Sequence, residues 1–134
     1  MKRGLLAAIF ASMMIPAAYA DNCADAEDQA TLNQCAAQEY KAADAELNAR
    51  FHEIRKRLVD DAATRNLLRD SERAWVSFRD AECTFAASAA AGGSAYPMAY
   101  DACLTELTKE RAARFQQYLS AEEGDLTNPV PPAN

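Results

Sequence analysis

The chain has 134 residues, half of them hydrophobic and a quarter charged, with 14 Lys and Arg against 20 Asp and Glu and a net charge of −6. This length holds one domain with a modest core, small enough to benefit from covalent staples. An acidic balance disfavours nucleic acid and anionic membrane surfaces as partners and favours cationic ones.

The first twenty residues read as a signal peptide. Lys2 and Arg3 form a positive start, Leu5 to Ile15 is an almost unbroken apolar run, Pro16 breaks it, and Ala18-Tyr19-Ala20 is a cleavage pattern. The run is too short for a membrane span, which needs about 20 apolar residues. Ala20-Asp21-Asn22 before Cys23 lacks the small apolar set that lipid attachment requires. The mature chain is expected to begin at Asp21, in the periplasm or outside the cell. Without Lys2 and Arg3 it carries 12 basic against 20 acidic residues, a net charge of −8.

Four cysteines, Cys23, Cys35, Cys83 and Cys103, all fall in the mature chain. An even count behind a signal peptide predicts two disulfides. Zinc is the weaker reading, because no C-x-x-C knuckle is present and the chain has a single histidine. Gly92-Gly93 is the strongest breaker, and Cys83 and Cys103 lie about ten residues to either side. In an antiparallel helical hairpin such positions face each other, which pairs Cys83 with Cys103. Cys23 and Cys35 would lie about 18 Å apart in one continuous helix, too far for a disulfide. Thr31-Leu32-Asn33-Gln34 has the form of a capping box that starts a helix, placing Cys35 in its first turn with Cys23 folded back onto it.

Helical periodicity follows. Tyr40, Leu47, Phe51, Ile54 and Leu58 mark one stripe, with Asp60-Asp61 at its end. A second helix is expected from about Thr64 to Ala90, with Leu68, Ser71, Trp75, Phe78 and Phe85 on its core face. A third begins near Pro97, a good first-turn residue, carries Leu104, Leu107, Phe115, Tyr118 and Leu119, and stops by Gly124. No stretch alternates as a strand does. The expectation is an all-α fold: a small antiparallel bundle of about three main helices with two disulfides over residues 21–124. The tail 125–134, with Pro129, Pro131 and Pro132, reads as disordered.

Catalysis is not expected. His52 sits among Arg50, Glu53 and Arg55 as a solvated residue, and no serine or cysteine has an activating base. Asp60-Asp61 and Glu122-Glu123 are sequence neighbours, which do not face each other on a helix. Gly92-Gly93 lacks the rest of a phosphate-binding motif. No metal or cofactor is implied. Arg55-Lys56-Arg57 reads as a solvated face with a Glu53 to Arg57 pair at i, i+4.

Polar residues on core faces are more informative. Asp44 and Asn48 share the first helix's apolar face, Arg79 follows Phe78, and Thr108 and Arg111 lie one turn apart. A buried arginine needs a carboxylate or several acceptors. Arg79 or Arg111 is therefore expected to pair with Asp44, with Asn48 or Thr108 completing an interhelical network whose role is structural.

Three blocks carry a resemblance to a known family. The first is Cys35-Ala36 followed by Ala43-Asp44-Ala45-Glu46-Leu47-Asn48. The second runs from Leu68 through Arg73-Ala74-Trp75-Val76-Ser77-Phe78-Arg79-Asp80 to Cys83. The third is Cys103-Leu104 with Thr108 and Arg111. Together, from about Cys23 to Leu119, they resemble the LprI-type domain of exported bacterial proteins, also catalogued as a domain of unknown function. That resemblance implies a disulfide-bonded helical fold and inhibition of lysozyme or a related peptidoglycan hydrolase by a soluble, non-enzymatic protein. An inhibitor has to occlude a glycan cleft whose working groups are carboxylates. The segment Ala91 to Tyr96, with Gly92, Gly93, Ser94 and Tyr96, is the candidate loop. The alternative is a non-enzymatic periplasmic interaction or adaptor protein, or an immunity protein.

Overall fold

The computed structural model describes residues 23–133; the expected signal peptide lies outside them. Three long helices make the fold: α1 (Gln29–Arg57), α2 (Ala62–Ala86) and α3 (Tyr96–Leu119). A 3₁₀ turn, Ala87–Ala90, follows α2, and no strand occurs among the described residues.

Each helix begins for a local chemical reason. At α1 the Asp28 carboxylate accepts from the Thr31 backbone N–H (2.9 Å) and hydroxyl (2.6 Å). The cap is thus Asp28, one turn before the Thr31 capping box would have placed it. Asp61 does the same for α2, accepting from the Thr64 N–H at 2.9 Å. Asp60-Asp61 therefore opens α2 rather than ending α1, which stops at Arg57. At α3, Pro97 occupies the first turn, where its missing N–H costs nothing.

The helices run up, down, up. Side chain to backbone bonds join Asn33 to Ser94, Arg50 to Ala112 and Arg57 to Leu119, a nearly constant offset. α1 and α3 therefore lie parallel along their whole lengths, and α2 runs antiparallel to them. The core sits between α1 and α3. Leu47 and Ile54 from α1 and Leu58 at its C-cap meet Ala112 and Phe115 from α3, each Leu, Ile or Phe side chain contributing roughly 1.5–3 kcal/mol by leaving water. Buried Ala43 and Ala112 let the two backbones approach closely.

Both disulfides form, Cys23–Cys35 and Cys83–Cys103, and no cysteine among the described residues is free. The second one fixes the rotation of α2. With Cys83 buried and bonded to α3, Phe78 and Phe85 fall about 140–160° away around the helix and point to solvent. This corrects the expected core face of α2. The inward residues are Leu68, Glu72, Trp75, Arg79 and Cys83, a row with two charged members.

The tail also differs from expectation, because it is packed rather than disordered. Val130 is 2% exposed and belongs to the main core cluster. The Asn128 amide donates to the carbonyls of Tyr118 (3.0 Å) and Gln117 (3.3 Å) at the end of α3, which also receive the N–H groups of Ala121 and Ser120. Arg57 Nη1 donates to Leu119 O (2.8 Å) and Pro131 O (3.5 Å), so this arginine clamps the tail to α3 while pairing with Glu53 at 3.3 Å.

Candidate functional site

The polar face of α2 builds a seam against α1 and α3. Trp75 is its centre. The Arg79 guanidinium lies 5.1 Å from the Trp75 ring on one side, and that of Arg111 lies 5.8 Å away. Arg79 also covers Tyr40 of α1 (5.5 Å), and Arg111 covers Phe115 (4.6 Å). Flat cations stacked on aromatic faces lose little when withdrawn from water.

The charges are paired. Arg79 donates to the Asp80 carboxylate at 2.8–2.9 Å and stands 4.0 Å from Asp44, which accepts from the Asn48 amide at 2.9 Å. Arg111 Nε donates to Glu72 at 3.1 Å and its Nη2 to the Ser71 hydroxyl at 3.0 Å. Burial pushes the Glu72 carboxyl above its ordinary value of 4.5, and the Arg111 hydrogen bond opposes that shift. Burial likewise raises the Tyr40 phenol.

The structure thus places Asp44, Asn48, Arg79 and Asp80 along one side of the seam and Arg111 on the other, with Trp75 between them and Leu47 in the core. Thr108 does not join: its hydroxyl is fully buried and without a partner between α1 and α3. Phe78 stands outside the seam, on the outer face of α2. Sequence reasoning missed Glu72 and read Tyr40 only as part of the apolar stripe of α1. Glu72 shares a helix face with Leu68, Trp75 and Arg79, and a carboxylate on such a face signals a buried partner. The seam carboxylates of Asp44, Glu72 and Asp80 are engaged by guanidinium or amide groups. No cluster of three metal-ligating side chains occurs among the described residues.

A second region lies at the end of the bundle. Ala91, Gly92, Gly93 and Ser94 are exposed. Gly92 has φ of +78°, a conformation that L side chains rarely adopt. The Asn33 amide donates to Ser94 O at 2.9 Å, tying the loop to α1. Tyr96 stacks on Tyr100 with centroids 5.9 Å apart. Cys83–Cys103 braces the helices on either side. The loop is thereby held at three points while its tip stays open to solvent.

The sequence pattern of the family described as "Lysozyme inhibitor LprI" matches residues 20–115, most of the chain. The chain belongs to the LprI family. It is 39% identical over 113 residues to the uncharacterized protein R02472 of Rhizobium meliloti (strain 1021), covering 76% of this chain and 81% of that one. It is 35% identical over 71 residues to the uncharacterized protein YecT of Escherichia coli (strain K12), covering 46% of this chain and 44% of that one. A crystal structure of a DUF1311 family protein from Pseudomonas putida KT2440 is similar in fold, with a TM-score of 0.61 and 28% identity, over 68% of this chain and 92% of that one. The LprI match ends at Phe115, so the packed tail lies beyond the stretch matched to the family.

Proposed function

We propose that this LprI-family protein is exported and inhibits lysozyme or a related cell-wall hydrolase by inserting the 91–96 loop into its glycan cleft. Family membership is the observation that carries the reading. Three further features support it. Two structural disulfides suit an oxidising compartment. No helix among the described residues is long and apolar enough to cross a membrane. The excess of acidic residues would speed encounter with a cationic enzyme.

The loop fits this task by its construction. A segment that blocks a cleft loses less entropy on binding when it is already ordered. Here the disulfide, the Asn33 bond and the Tyr96–Tyr100 stack order it in advance. Ser94 and Tyr96 supply hydroxyls that can bond to cleft carboxylates or displace ordered sugar hydroxyls. The test is a titration of the Ser94→Ala/Tyr96→Ala variant against a lysozyme that the parent protein inhibits. A weakening of inhibition by at least tenfold, with unchanged helical content, is expected. Undiminished inhibition would remove the loop from the mechanism.

A further inference from the structure

The outer face of α2 carries a second apolar stripe. Leu67, Ser71, Ala74, Phe78, Ala81 and Phe85 recur at intervals of 4, 3, 4, 3 and 4 residues. This is the heptad spacing of a helix that packs lengthwise against another. All six are exposed, and the large ones, Leu67, Phe78 and Phe85, are 69%, 55% and 74% exposed. Those three side chains leave about 400 Å² of apolar surface in water, within the range of the largest patches on monomers, which are often functional.

We propose that this stripe pairs α2 with α2 of a second copy of the chain, antiparallel about a two-fold axis at the level of Val76. The sizes of the side chains select that arrangement. In the antiparallel register Phe78 of each copy meets Ala74 of the other, Ser71 meets Ala81, and Leu67 meets Phe85. Four of the six layers then set Phe78 against Ala74 or Leu67 against Phe85, and the two Ser71–Ala81 layers, holding only small residues, let the backbones approach closely. A parallel pairing would set Phe on Phe and Ala on Ala, leaving clashes and gaps in alternate layers.

A groove on the same face receives the outermost knob. Leu67 and Ser71 border an open apolar cavity of about 220 Å³, lined also by Ile54, Leu58, Leu68 and Tyr118. The register brings Phe85 of the second copy to its mouth. The contact is reciprocal, as a two-fold interface requires.

The rim favours a second copy over a cationic peptide. Asp70 comes opposite Thr84, and Ser77 opposite Ser77, so no like charges face each other along that edge. Asp70 is already paired with Arg69 at 3.0 Å, which leaves little negative field to recruit a basic helix. The patch is smaller than the roughly 800 Å² per partner of a standard interface, so the dimer forms and dissociates with concentration. Two acidic copies repel each other at long range, so added salt tightens the pair, whereas it would loosen a complex with a cationic partner.

The test is sedimentation equilibrium of the mature protein, with both disulfides formed, from about 5 to about 300 µM, the range suited to a contact of this size. A monomer–dimer equilibrium that tightens with salt is expected. Phe78→Glu and Phe85→Glu should each remain monomeric throughout, with unchanged circular dichroism and melting temperature. Ala74→Phe, which keeps the face apolar but fills the space opposite Phe78, should weaken dimerisation at least tenfold. A monomer at every concentration would overturn the proposal, as would a dimer indifferent to Phe78→Glu and Phe85→Glu. A monomer whose binding to a cationic hydrolase is weakened by Phe78→Glu would overturn it in favour of a docking face for that enzyme.

Discussion

Glu72 and Arg111 meet between α2 and α3 with both side chains largely withdrawn from water. Removing one partner of such a pair strands the other, which costs more than the pair contributes. Arg111→Met is therefore expected to destabilise the fold by about 3 kcal/mol in urea unfolding at neutral pH, and Glu72→Leu added to it should restore most of the loss. The pH dependence has a definite sign. Burial raises the folded Glu72 carboxyl above 4.5, so the fold binds its proton more tightly than the unfolded chain does. That contribution is complete below 4.5 and is lost as pH rises through the folded value. Without Arg111 the folded value rises further. The Arg111→Met defect should accordingly be smaller at about pH 4 than at about pH 7. Asp28 and Asp61 act in the opposite sense. Hydrogen bonds from Thr31 and Thr64 hold their carboxyls below 3.8, so their contribution is present above 3.8 and fades as pH falls through the lowered values.

At the scale of elements, α2 is the helix held least by apolar packing and most by specific bonds. Its inward face offers Leu68 and Trp75 to the core cluster, and Arg79 and Cys83 are its buried residues. The Cys83–Cys103 bridge closes a 20-residue separation and spans the hairpin that presents the 91–96 loop. Replacing both cysteines by serine should cost about 3 kcal/mol, read as a lowered urea midpoint. Hydrogen exchange should then show α2 and the loop opening before α1 and α3. The same helix shows what the sequence could and could not disclose. Apolar periodicity located α2 and placed Leu68 and Trp75 inward as the structure does, but added Phe78 and Phe85, which weigh more than Glu72 and Arg79 in any hydrophobic pattern. The covalent constraint at Cys83, together with the stacking of guanidinium on Trp75, outweighs them. The disulfide pairing itself was legible, since symmetry about Gly92-Gly93 needs only helix geometry. The tail was not legible. Its prolines and polar residues resemble a solvated segment, and only the open end of the α1–α3 core gives Val130 a place.

For the molecule as a whole, fold and function were legible to different depths. The blocks on which the resemblance to the LprI family was read, Asp44 to Asn48, Trp75 to Asp80, and Thr108 with Arg111, lie mostly in the seam and the core. They specify how three helices lock together and say little about what the surface touches. The surfaces that remain free are the braced loop at one end, the outer stripe of α2, and an acidic exterior. Among these, the loop and the net charge bear on the hydrolase, and the stripe bears on self-association. Inhibition of a cell-wall hydrolase is read out by a lysis assay. Mature protein with both disulfides formed is titrated against lysozymes of several classes acting on bacterial cell walls, beside the same protein after disulfide reduction. Dose-dependent protection that disappears on reduction is the predicted result. Full lysis at protein concentrations well above those of every enzyme would contradict it.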